Sequence, residues 1–209
     1  MKMRLQLALD AAEHFALLPV LASYFDIVEV GTPLLKRFGV AAIATARELS
    51  NGRSILADTK TVDGGGLEAE LVFGAGAQWM TVLAGAPAPT RQRAVEVALA
   101  HGCDVIFDTI LDADPAAVTV DGDGTTTGRW IALHSPFDTR GTSVDDGAHI
   151  ARVAAHRATG HRISLAGGIG PGNFAAVIAA APDIAVIGSS VSAADDPEGT
   201  AAWLRQQLS

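Results

Sequence analysis

With no long apolar run, no cysteine pair and no surplus of positive charge, this 209-residue chain excludes several function classes at once. No uninterrupted apolar stretch approaches the roughly 18 residues that a membrane-spanning helix needs. Near the N-terminus Asp10, Glu13 and His14 interrupt any hydrophobic region, so no signal peptide is expected and the protein reads as cytoplasmic. Cys103 is the single cysteine, which rules out an intrachain disulfide and a cysteine zinc cluster. The net charge is −8, with a pI near 5.1, which argues against nucleic acid as the main partner. A small anion remains open as a ligand, because backbone amides bind phosphate even in an acidic protein. Lysine is scarce: Lys2, Lys36 and Lys60 stand among fifteen basic residues. What is abundant is apolar, 49% hydrophobic residues against 18% charged, enough for a substantial core and against disorder.

Short apolar runs alternate with alanine-rich helical segments. Strands are expected at 5–9, 26–30, 54–58, 78–83, 104–109, 130–134, 162–166 and 184–187. Between them helices are expected at 11–23, 31–49, 66–74, 90–101, 144–159 and 172–181, with a closing helix at 197–208. Eight such units in one domain, 1–209, predict a (β/α)8 TIM barrel near its smallest usual size. The strands are apolar throughout, as parallel strands covered on both faces are. An open doubly wound sheet ranks second, because the first strand-to-helix turn lacks a glycine-rich dinucleotide fingerprint. One unit is irregular. Between strands five and six, residues 111–128 carry Asp-Gly-Asp-Gly and a threonine run, which predicts a shortened crossover helix. Asp121 and Asp123 lack the further acids of a calcium loop, so a turn is the better reading.

Polar residues gather at the strand ends: Asp10, Glu29, Asp58 with Lys60, Asp108, His134, Gly167-Gly168 and Gly188-Ser189. Barrel enzymes keep their active sites on that rim. A lone Asp-x-Lys is ordinarily a surface ion pair. Here an apolar strand precedes it and glycines follow, and residues two apart on a strand share a face. Lys60, held between Asp58 and Asp63, would stay protonated and suit stabilisation of an oxyanion such as an enediolate. Glu29 and Asp58 on neighbouring strands could offer oxygens to Mg²⁺. His134 and Asp108 are candidates for proton transfer. The two glycine turns offer unobstructed amides where barrels commonly bind phosphate.

Asp58-x-Lys60-x-x-Asp63 resembles the signature of the orotidine monophosphate decarboxylase superfamily. Leu7-Ala8-Leu9-Asp10, Glu29-Val30-Gly31-Thr32-Pro33-Leu34, Thr81-Val82-Leu83 and Ala166-Gly167-Gly168-Ile169 extend the likeness, which is closest to the 3-hexulose-6-phosphate synthases. The resemblance implies an aldehyde-lyase: a Mg²⁺-dependent aldol reaction between formaldehyde and ribulose 5-phosphate through an enediolate held on the metal. It implies Glu29 and Asp58 as metal ligands and Asp10 and Lys60 on substrate oxygens. His134 is implied as acid/base, with Gly168, Gly188 and Ser189 as the phosphate cradle. It also implies a homodimer in which Asp63 reaches the partner subunit's active site. The alternative carboxy-lyases, 3-keto-L-gulonate-6-phosphate decarboxylases, typically carry threonine before the double glycine and arginine three residues after the histidine. Ala166, Phe137 and Asp108 favour the synthase side. A relative adapted to another sugar phosphate is a further alternative, since Ala84–Pro89, Ser135-Pro136-Phe137 and Gly188-Ser189 depart from the synthase pattern. So is a non-catalytic sugar-phosphate-binding barrel, though Asp10, Glu29, Asp58, Lys60, Asp63 and His134 are all present.

Overall fold

In the computed structural model, which describes residues 2–110, 130–136, 138, 148–157 and 160–209, the apolar runs pair in chain order into a closed parallel barrel. The strands are β1 (Arg4–Leu9), β2 (Ile27–Val30), β3 (Ser54–Thr61), β4 (Trp79–Leu83), β5 (Asp104–Asp108), β6 (Trp130–His134), β7 (Arg162–Ala166) and β8 (Ile184–Ile187). The ring shuts where Arg4 of β1 lies beside Ile184 of β8. The helices are α1 (Leu18–Leu21), α2 (Thr32–Phe38), α3 (Ala41–Leu49), α4 (Gly65–Gly74), α5 (Ala88–His101), α6 (Ala148–Arg157), α7 (Phe174–Ala180), α8 (Ser189–Ser192) and α9 (Pro197–Gln206). The expected irregular crossover at 111–128 lies outside the described residues, as does the Phe137 comparison.

Strand alternation splits the apolar residues into two cores. Leu5, Leu7, Leu9, Val28, Val30 and Ile55 point outward and pack beneath the helices. Ile27, Leu56, Ile106, Trp130, Ala132 and Ile184 point inward and fill the barrel. At its lower end the Arg4 guanidinium lies over both Trp79 and Trp130, 5.2 and 5.0 Å from the ring centroids, and the two rings meet edge to face. Three strand-start amides there are satisfied from the next unit. Leu5 donates to Asp26, Ile55 to Gln78 and Ile163 to Asp183, at 2.7–2.9 Å. Arg205 on α9 bonds both Tyr24 and Asp26 and so ties the last unit to the first.

Three expectations are corrected. The segment 11–23 is not one helix but two 3₁₀ stretches flanking the single turn α1, with Pro19 lacking the N–H a longer α-helix needs. The segment 31–49 breaks at Gly39 into α2 and α3. The third strand does not stop at Asp58 but runs to Thr61 through a bulge, because Lys60 turns into the left-handed region at φ 48°. Its pairing with Asp58 therefore does not come from regular alternation.

Candidate active site

At the C-terminal end of the barrel, a cavity of about 30 Å³ is walled by Gln6, Glu29, Asp58, Lys60, Asp108 and His134, above the apolar floor of Leu56, Ile106 and Val186. All eight strands contribute to the lining, and the charged wall comes from β2, β3, β5 and β6. The bulge in β3 lets that strand present both Asp58 and Lys60 at the rim. A non-glycine residue in the left-handed region costs about 1–3 kcal/mol and persists where its surroundings hold it. Here Thr81 holds it: its hydroxyl accepts from the Lys60 amide at 2.9 Å and donates to Asp58 Oδ1 at 2.8 Å.

The charges form one connected run. Lys60 Nζ donates to both Asp58 oxygens, at 2.7 and 2.6 Å, and lies 3.3 Å from Asp108 Oδ2. The same Asp108 oxygen is 3.1 Å from His134 Nδ1, and Asp108 Oδ1 accepts from the Ile110 amide. The second acid on Lys60 is therefore Asp108, not Asp63 of its own chain. Burial works against the Lys60 charge, but Asp58 first and Asp108 next outweigh it and raise its pKa above the usual lysine value. Lys60 is a cation at neutral pH. Burial likewise disfavours the Asp108 anion. The His134 hydrogen bond and charge, followed by Lys60 and the Ile110 amide, reverse that and lower its pKa. An ionised Asp108 only accepts, so Nδ1 of His134 carries the proton between them, and Nε2 is the ring nitrogen that remains for proton exchange. This recasts Asp108 as the group that orients His134.

Glu29 is different. Burial first and the Asp58 charge second push its carboxyl up to about 8, against the pull of Lys60 and a hydrogen bond from Gln6. Two carboxyls on one small cavity, the first disfavoured as an anion by the second, are a donor set that a divalent cation relieves. Mg²⁺ takes one or two carboxylates and completes its shell with water and substrate oxygens, so Glu29 and Asp58 fit it. Asp58 already accepts from Lys60 twice, from Thr81, and from Thr32 at 2.9 Å. Lys60 is the partner it could release, since Asp108 holds that ammonium as well.

The remaining candidates lie around this centre. Asp10 stands at the rim against Gly31, where a Cβ would fall 2.1 Å from its Oδ1, so only glycine admits that approach. Gly168 and Ser189 are exposed in the turns after β7 and β8, and Gly188 begins α8. The turns are joined: Ser190 bonds the Ile169 carbonyl, and Asn173 braces Gly168 and Gly170. Asp63 is not brought to the cavity. Its carboxylate accepts from the Gly64 amide at 2.7 Å and lines a separate surface groove of about 400 Å³ with Leu67, Pro89 and Arg93. Sequence reasoning passed over Gln6, Thr32 and Thr81. Gln6 left a signal, being polar at an inward position of an otherwise apolar strand.

Residues 3–128 match the Orotidine 5'-phosphate decarboxylase / HUMPS family, which is more than half of the chain. The chain belongs to that family. Among its members, the 3-hexulose-6-phosphate synthase of Mycobacterium gastri is 33% identical over 99% of this chain and 100% of its own. A crystal structure of the Salmonella typhimurium 3-hexulose-6-phosphate synthase superposes with a TM-score of 0.86 at 33% identity, covering 99% of this chain and 98% of that one. The 3-keto-L-gulonate-6-phosphate decarboxylase of Vibrio cholerae gives 0.78 at 26% identity, over 100% and 98% of the two chains. Family members thus share the barrel, and the synthases share more of the sequence than this decarboxylase does.

Proposed function

We propose that the chain is a lyase that condenses formaldehyde with ribulose 5-phosphate, or runs the reverse, in the manner of the synthases it resembles, with Mg²⁺ held by Glu29 and Asp58. The observation that carries this reading is the Asp58–Lys60–Asp108–His134 run in one cavity at the barrel rim. Loss of a proton from the carbon beside the ketose carbonyl leaves an electron pair that spreads onto the carbonyl oxygen. His134, oriented by Asp108 through Nδ1, takes that proton at Nε2. Lys60, cationic at neutral pH, stabilises the oxyanion. The carbon then attacks formaldehyde, its C=O π pair moves onto oxygen, and the new alkoxide takes back the proton that His134 accepted. When bound, Mg²⁺ would supply Lewis-acid polarisation of the carbonyl. Asp10 would steady a substrate hydroxyl, and Gly168, Gly188 and Ser189 would hold the phosphate. Ala166 and Asp108 support the synthase reaction over decarboxylation.

Asp63 fits a second part of the reading, a homodimer. It sits beside Val62, Leu67 and Leu71, which are exposed by 55, 77 and 61%. Apolar exposure concentrated in this way marks an interaction face, and Asp63 would cross it to the partner subunit's site.

The test is incubation with ribulose 5-phosphate and formaldehyde, and separately with 3-keto-L-gulonate 6-phosphate, each with Mg²⁺ or EDTA. Turnover is expected in the first mixture, lost with EDTA and lost in Lys60→Ala by about 10²-fold or more. Turnover of only the keto acid would move the chain to the decarboxylases, and no turnover of either would end the substrate assignment.

A further inference from the structure

Gln6 is 2% exposed and sits in the middle of β1, beside Ile27 on one side and Val186 on the other. Its inward neighbours Ile27, Leu56, Ile106 and Ile184 are all apolar, so packing alone would be served by another aliphatic side chain. Its amide is used at only one end. Nε2 donates to Glu29 Oε2 at 2.6 Å, whereas Oε1 is buried with no group among the described residues donating to it. An unpaired buried acceptor is a cost that a core glutamine is not expected to carry without a use. Gln6 lines the cavity that also holds Asp58, Lys60, Asp108 and His134, a space on the scale of a single water molecule.

We propose that Gln6 is a positioning residue for the cation site. Its amide N–H fixes one oxygen of Glu29, which directs the other to the ion. Its free Oε1 receives a hydrogen bond from a water or a sugar hydroxyl brought into the cavity. The form of Glu29 that holds a cation is the carboxylate, which only accepts, so Nε2 is the amide end that meets it. Residues that orient a metal ligand from behind typically control affinity by 10–100-fold.

The inference rests on the Mg²⁺ reading above, and its test separates the two. Mg²⁺ alone is titrated calorimetrically into substrate-free protein, parent and Gln6→Met side by side, with folding checked by circular dichroism in EDTA. Gln6→Met matches the length and bulk of the side chain without its hydrogen bonds. It is expected to bind Mg²⁺ at least about tenfold more weakly while its fold is kept, and affinity within about twofold of the parent overturns the positioning role. A parent that takes up no Mg²⁺ overturns both readings. Should Gln6→Met fail to fold, Gln6→Asn, whose shorter amide falls short of Glu29, carries the same two outcomes.

Discussion

Glu29 has the most unusual ionisation at the site, and its consequence is a pH dependence opposite to that of a salt-bridged acid. With its carboxyl raised from 4.5 to about 8, the native state keeps a proton that the unfolded chain has released. Stability contributed here therefore falls as pH rises from about 4.5 to about 8. Asp108 works the other way. Its pKa is lowered, so its contribution is present above the usual carboxylate range and is lost as pH falls through its folded value. In EDTA, Glu29→Gln is expected to gain thermal stability over the parent at about pH 8–9 and to lose that advantage near pH 5. Each kcal/mol amounts to about 2–4 °C in Tm for a chain of this size. Melting curves across that range decide it. A parent and variant that run parallel would mean that Glu29 is ionised throughout.

At the scale of elements, the bulge in β3 depends on its neighbour. Among the described residues, the Thr81 hydroxyl alone bridges the Lys60 amide and the Asp58 carboxylate. Thr81→Val keeps the shape and leaves both groups without that partner, a cost of about 1–3 kcal/mol. Misplacing Lys60 should also lower kcat by about tenfold to a hundredfold, with KM changing less. A lowered Tm with parent-like kcat would show that the bulge supports the strand and not the chemistry. The same element shows what was legible in the sequence. The strands 130–134, 162–166 and 184–187 could be read from apolar runs because parallel barrel strands are buried on both faces. Asp58, Lys60, Asp108, His134 and Glu29 could be read as rim residues because each lies at or beside the end of such a run. The bulge could not be read, since the left-handed turn at Lys60 is imposed by contacts from β4, 21 residues away. Nor could the exchange of Asp63 for Asp108 as the second acid on Lys60. It depends on which strand lies across the mouth, not on spacing along the chain. The helix break at Gly39 was missed for the converse reason: helical patterns on both sides run together in the sequence and hid a local turn.

For the whole molecule, the exposed face of α4 sets an assembly expectation. The chain should sediment at about twice its 21.4 kDa. Leu67→Glu, placing a charge where an apolar side chain is 77% exposed, should shift it toward monomer and reduce activity with it. Sedimentation velocity paired with an activity measurement checks both. A monomeric parent with full activity would remove Asp63 from the site. The opposite end of the barrel has a practical consequence. Two of the three tryptophans, Trp79 and Trp130, are clamped by Arg4 at the base, and the third, Trp203, lies on the outer helix α9. Intrinsic fluorescence will thus report the loss of the barrel on denaturation while staying nearly blind to ligands arriving at the rim.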